Sequence, residues 1–241
     1  MRLEYPPPTI EPLFVIGSIF IQVLACYHKT HMDAIDIIFY IAILIMSVVI
    51  HEVSHGFVAE YFGDKTARFA GRLTLNPLRH LDLFGSIILP LILVISKAGF
   101  IIGWAKPVPY NPENLSNRRW GTIAVAFAGI FANLVVALIF GLIIRLAVYF
   151  DFTYPPLFFI SGLIVFLNLL LALFNLMPFP PLDGSKILFS LLPARFYHLE
   201  ALLERYAILV FLLFIFFIWN QVFPIVVFLY NLFTGGSPGF L

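Results

Sequence analysis

His51, Glu52 and His55 stand in one short stretch, His51-Glu52-Val53-Ser54-His55, at the end of an almost unbroken apolar run from Ile35 to Ile50. Two histidines four residues apart leave the same face of a helix and can grip one zinc ion, with the glutamate between them placed to take a proton from an attacking water. In a water-soluble chain this spacing suggests an ordinary metal-dependent hydrolase. After such a run of hydrocarbon it suggests hydrolysis inside a bilayer, where charge is expensive.

The composition requires that setting. Of 241 residues, 61% are hydrophobic and 11% charged, against roughly 25% charged in soluble domains. No water-soluble surface can be built from that remainder, so the lipid bilayer is the first partner expected. A net charge of +1 says little about other partners and gives no reason to expect nucleic acid. The single cysteine, Cys26, excludes an internal disulfide framework and a cysteine metal cluster. The N-terminus lacks the pattern of a cleaved signal, and the segment 12–27 reads as a first span or anchor.

Further along, the runs Asp33 to Phe62, Trp120 to Phe150, Pro155 to Met177 and Tyr206 to Phe233 are each long enough to cross about 30 Å of hydrocarbon at about 1.5 Å per residue. Leu83 to Ile95 is shorter and carries Gly85 and Pro90, which suits a re-entrant segment better than a span. The distribution of positive charge supports this. If the segment turns back, twelve of the fourteen lysines and arginines share the side on which the His51 helix ends, and only Lys29 and Arg145 fall opposite, where Arg145 is expected to pair with Asp151. That side is then cytoplasmic. The expected architecture is an all-α polytopic membrane protein with about five to six transmembrane helices, a re-entrant segment and a small β-hairpin next to the active site. It forms a single domain over 1–241, with a catalytic core at about 33–192 and a C-terminal helix at about 206–233.

The re-entrant topology returns the end of the Pro155 to Met177 helix to the side of His51 and His55. There lies Asn175-Leu-Met-Pro178-Phe-Pro180-Pro181-Leu182-Asp183-Gly184, whose prolines must end the helix. Taken alone, this stretch is a turn with Asp183 capping the next helix, Ser185 to Leu192. Beside the two histidines, Asp183 instead completes the two-histidine, one-carboxylate set of a zinc hydrolase with an open fourth position.

These residues resemble the site-2 protease family of intramembrane zinc metalloproteases. His51-Glu52-Val-Ser-His55-Gly56 and the Asn175 to Gly184 stretch, similar to that family's Asn-x-x-Pro-x-Pro-x-x-Asp-Gly signature, carry the likeness. Ala128-Gly129-Ile-Phe-Ala-Asn133 resembles its Ala-Gly-Pro-x-x-Asn motif, with Ile130 in place of the proline. The segments from Gly71 to Asp82 and from Gly103 to Pro109 look like those of compact bacterial-type members without accessory domains, so the similarity covers roughly residues 38 to 205. The resemblance implies one Zn2+ held by His51, His55 and Asp183, with Glu52 as general base and Asn175 holding substrate or stabilising the developing oxyanion. It also implies a zinc-dependent endopeptidase that cuts a peptide bond in or near the transmembrane segment of a single-span or other membrane protein. The implied location is the bacterial inner membrane, with the active site near the cytoplasmic face. The alternative is a non-hydrolytic zinc-binding membrane protein, a metal transporter or protease-like scaffold, which has no need of Glu52.

Several residues carry two readings each. The alternation over Arg68 to Leu75 argues for a strand after the catalytic helix, with Val108 in its partner, either to extend an unwound substrate or as a plain amphipathic hairpin at the membrane surface. Gly71, Asn76, His80 and Asn133 are candidates for substrate binding or for support of the metal ligands. For His80, with Asp82, the other reading is a turn fixed after Asn76-Pro77.

Overall fold

The computed structural model describes residues 34–88, 92, 95–96, 105–214, 217 and 219–236. Among the described residues, three helices are long and apolar enough to cross a membrane: α1 (Ala34–Tyr61, spanning from Ile38), α3 (Arg118–Tyr149) and α4 (Pro155–Asn175). Shorter helices are α2 (Thr66–Phe69), α5 (Asp183–Leu191), α6 (Tyr197–Arg205), α7 (Ala207–Leu213) and α8 (Trp219–Thr234). The expected C-terminal helix falls within α7 and α8, with Pro224 inside α8. The expected span at 12–27 lies outside the described residues.

Helix α3 is the centre of the bundle, packed against α1, α4, α5 and α8. Its buried face is mostly small, with Ala126, Gly129, Asn133, Ala137 and Gly141 recurring three and four residues apart. Small side chains let helix backbones approach closely, which matters where lipid tails compete with side chains for apolar contact. Its other face exposes Phe127, Phe131, Leu138, Leu142 and Leu146, as a lipid-facing surface should. Helix α4 is buried almost all round from Ser161 to Ala172, which explains why its sequence shows no polar stripe. One polar tie crosses this region: Asn168 Nδ2 donates to Ser47 Oγ at 2.9 Å, joining α4 to α1.

Arg145 does not form the boundary pair expected with Asp151. Its guanidinium donates instead to the carbonyls of Phe233 (3.0 Å) and Leu232, at the last turn of α8. Terminal helix carbonyls lack partners within the helix and carry partial negative charge, so a cation is well placed there.

The connection between α1 and α3 begins and ends at one place, because Ser116 N–H donates to the Phe62 carbonyl at 2.8 Å. Asp64, fully buried, organises this junction. Its carboxylate accepts from Thr66 N–H and Oγ1, from Asn111 N–H at 2.7 Å and from Asn114 Nδ2 at 2.9 Å. A second closure lies further out, where Lys106 N–H donates to the His80 carbonyl at 2.7 Å and Leu81 pairs antiparallel with Ala105.

The β-hairpin expected from the sequence is not present: the described residues contain no strand, only that isolated bridge. Asp64 starts a helical turn at Thr66–Phe69 through its side-chain acceptors, and Gly71 then reverses the chain at a φ of +64°. On the other side, Pro107 and Pro109 lack the N–H groups a ladder requires.

Burial would raise the Asp64 pKa, but hydrogen bonds from Asn114, Thr66 and Asn111 outweigh it and hold the carboxyl below its usual range. A carboxyl depressed in the folded state stabilises the fold fully above its unfolded value, about 4. That contribution is lost as the pH falls through the folded value. Asp64→Ala should therefore cost about 1–3 kcal/mol at pH 7, and its melting temperature in detergent should converge on the wild type as the pH is lowered below about 4. A deficit independent of pH would point to packing rather than to the charge.

Candidate metal centre

His51 and His55 lie one turn apart on the buried face of α1, close to its C-terminal end, and both are largely shielded from solvent. The third element is α5, which the chain reaches by breaking α4 at Asn175 and passing through Pro178, Pro180 and Pro181. Gly184 makes the entry into α5 possible, since a Cβ there would sit 2.2 Å from the Leu176 carbonyl oxygen. The start of α5 thus packs directly on the end of α4. Asp183, its first residue, does not cap the helix: its Oδ2 lies 3.1 Å from His51 Nε2 and 3.2 Å from His55 Nε2. Lys186 Nζ stands 3.7 Å from the other oxygen, Oδ1. Burial opposes ionisation of Asp183, yet His55, His51 and Lys186 together hold its carboxyl well below the usual carboxylate range.

One donor atom from each of His51, His55 and Asp183 falls within 4.8 Å of the others, a grouping that fits a single metal ion. The outer partners of the histidines suit the same purpose. His55 Nδ1 donates to the Val125 carbonyl at 2.6 Å, which fixes a proton on Nδ1 and makes Nε2, 3.2 Å from Asp183 Oδ2, the nitrogen that would bind a metal. His51 Nδ1 lies 3.3 Å from the Asn133 side-chain amide, whose Oδ1 is buried without a partner. The two ends of an amide have the same shape, so turning it over sets Oδ1 to accept from His51 Nδ1–H and frees His51 Nε2 as a ligand. Both supports come from α3, and both depend on Gly129, where a Cβ would lie 2.6 Å from His51 Cε1 and from His55 Nε2. Val125 and Gly129 were not singled out for this role from the sequence. A main-chain carbonyl leaves no signature there, and Gly129 stood only within a motif.

Glu52, next to His51 on α1, is half-buried, with Oε2 accepting from Val108 N–H at 3.0 Å. Asn175 is buried, and its Nδ2 donates back to the Leu171 carbonyl at 2.9 Å within its own helix. The remaining candidates are not drawn into the cluster. Asn76 is exposed and caps the turn Pro77–Arg79, with Oδ1 accepting from Leu78 N–H at 3.1 Å. Gly71 is exposed, with open space where a side chain would extend. His80 is buried, its Nε2 2.8 Å from the Thr74 carbonyl, so it stabilises the loop in the manner of a turn residue. Asp82 accepts from Gly85 N–H at 2.7 Å.

A family model described as Peptidase family M50 matches residues 39–154 and 155–218. The chain belongs to Peptidase family M50. It is 43% identical over 176 residues, 70% of this chain and 76% of the other, to a Bacillus subtilis (strain 168) protein named "Putative zinc metalloprotease YwhC". It is 32% identical over 176 residues, 73% of this chain, to the Mycolicibacterium smegmatis "Putative zinc metalloprotease Rip2", and 29% identical over 180 residues, 75% of this chain, to the Rip2 protein of Mycobacterium tuberculosis (strain H37Rv). The match spans 59% and 60% of those two Rip2 proteins. No solved structure matches the chain. Membership of this peptidase family agrees with the donor set that α1 and α5 bring together.

Gly129→Ala should lower zinc affinity by at least about tenfold, the scale expected when the partners that orient metal-binding histidines are disturbed. Alanine is the better helix former, so circular dichroism should show α3 intact while titration with a competing chelator reports the weaker site. Unchanged affinity would mean that the histidines have room the structure does not give them.

Proposed function

We propose that this M50 peptidase is a zinc-dependent intramembrane endopeptidase that hydrolyses a peptide bond in or near a transmembrane segment of a membrane protein. The observation that carries the reading is the buried convergence of His51, His55 and Asp183, with Glu52 one residue along the same helix. His51 Nε2, His55 Nε2 and an Asp183 oxygen would hold the ion. When bound, zinc supplies Lewis acidity, polarising a scissile carbonyl and making a water acidic near neutral pH.

The chain's own residues do the rest. Glu52 takes the proton from the attacking water and delivers it to the leaving nitrogen, so one carboxylate serves as base and then acid. Val125 and Asn133 would orient the histidines, and Asn175, whose amide donates to the Leu171 carbonyl, would on this reading hold the substrate or the developing oxyanion. Gly71 and Asn76, exposed on the connection between α1 and α3, would meet substrate, and buried His80 would hold that connection in shape.

The topology supports a site reached from the cytoplasm. The ends of the segment 82–104 are held together by the Leu81–Ala105 bridge, and 23 residues are too few to cross and return when one crossing takes about 20. This supports reading the segment as re-entrant, which would keep Lys65, Arg68, Arg72, Arg79, Lys106, Arg118 and Arg119 on the side where α1 ends. Taken with the family, this favours a bacterial inner-membrane enzyme with its metal near the cytoplasmic boundary. The domain extends over 1–241 around a core at about 33–192. The non-hydrolytic alternative is not favoured, because a transporter or scaffold has no use for a general base beside the first histidine.

The test is zinc content and cleavage of a single-span substrate in the same membranes. Glu52→Gln should keep stoichiometric zinc and lose at least about 10²-fold in turnover, with uncleaved single-span proteins accumulating. Asp183→Ala should lose the zinc itself. Full turnover in the first variant would sink the mechanism, and full metal content in the second would remove Asp183 from the ligand set.

A further inference from the structure

Glu52 and Gly56 share one face of α1, four residues apart, and that face is covered by the extended segment 105–110. At Gly56 the cover is so close that a Cβ would lie 2.7 Å from Val108 Cγ1 and 2.6 Å from Leu73 Cδ2. One turn back, Val108 N–H donates to Glu52 Oε2 at 3.0 Å. Val108 is buried and Glu52 half-buried, so this bond is partly shielded from bulk water.

The residues on either side make this donor singular. Pro107 and Pro109 have no N–H, and the Lys106 N–H is already committed to the His80 carbonyl. Between Lys106 and Tyr110, Val108 therefore offers the one main-chain donor available to the carboxylate. The two prolines also restrict Lys106 and Val108, each preceding a proline, to extended backbone without a neighbouring strand to hold them. Both ends of the segment are fastened to other parts of the fold, at Leu81 and His80 on one side and, through Asn111, at Asp64 on the other. A stiff tripeptide pinned at both ends can fix the position of one N–H far better than a free loop can.

We infer that the Val108 main-chain N–H is the positioning group for Glu52, with Pro107 and Pro109 as its rigid frame. The inference rests on the reading of Glu52 as general base. Oε2 is held by the amide, and Oε1 stays free to receive the water proton and return it to the leaving nitrogen. The Pro-Val-Pro stretch thus has a role in proton transfer, although no side chain in it can carry a proton. An unheld glutamate on the exposed rim of a helix would sample several rotamers, and only a fraction would face the water.

The test uses the full chain in detergent with a fluorogenic membrane-segment substrate. Val108→Pro removes the N–H and keeps an extended backbone. It should retain zinc and KM while kcat falls by about 10²-fold, the scale of a misplaced catalytic group. Val108→Ala keeps the N–H and loses only packing on Gly56, so its loss in kcat should be at least about tenfold smaller than that of the proline variant. In a Glu52→Gln background, Val108→Pro should cause no further loss of the residual rate, because the N–H acts only through the proton transfer that the glutamine has already lost. Undiminished kcat in Val108→Pro, or an equal loss in Val108→Ala, overturns the inference. If Val108→Pro does not fold, the double variant Pro107→Ala/Pro109→Ala decides: it keeps the N–H but loosens its frame, and an unaltered kcat overturns the inference. Full activity in Glu52→Gln alone would instead overturn the general-base reading, which separates the two failures.

Discussion

An ionised carboxylate buried in an apolar bundle must be paired, and Asp183 is paired with two histidines at once. Its Oδ2 lies within 3.2 Å of both Nε2 atoms, while Lys186 approaches Oδ1. Alone, each of these groups would be costly to bury, since desolvation penalises a charge by far more than one neutral hydrogen bond returns. Together they form a site that attracts a divalent cation, and the rest of the bundle can be understood as the apparatus that brings α1 and α5 to this distance.

Helix α3 does most of that work. The small residues on its buried face let α1 and α4 lie close, and at the height of the metal site the same face supplies Val125 O and the Asn133 amide to the two histidines. Gly129 is where packing and chemistry meet, because any side chain there would occupy the space of the imidazole rings. Ile130, at the proline position of the Ala-Gly-Pro-x-x-Asn motif this stretch resembles, is buried inside an unbroken helix, and Asn133 still reaches His51. The proline is thus not needed to aim that amide.

The connection from α1 to α3 has a different design. It contains little regular structure among the described residues, yet it is closed at Phe62–Ser116, tied around Asp64, and closed again at Leu81–Ala105. Irregular backbone next to a membrane must satisfy its own polar groups, and each of these closures does so while laying one segment against the catalytic helix. The prolines that prevent this segment from becoming a strand are the same ones that stiffen it.

Much of the site was legible in the sequence because its chemistry depends on residue type and local spacing. The four-residue interval of His51 and His55 fixes a shared helix face, the composition fixes the solvent, and the charge distribution fixes which helix ends lie together. The apolar runs gave the spans in the same way, with ends close to those of α1, α3 and α4. What the sequence left open concerned contacts between distant segments. Taken alone, Asp183 reads as a helix cap and only the topology argues for a ligand; the packing of α5 on α4 is what turns its carboxylate to the histidines. The alternation over Arg68 to Leu75 argued for a strand, but a strand needs a partner with free N–H groups, and Asp64 and Pro107 to Pro109 decided otherwise. Main-chain groups such as Val125 O and Val108 N–H are carried by every residue except for proline's missing N–H. Their use is therefore invisible in sequence, and it is settled only when tertiary structure sets them against a particular side chain.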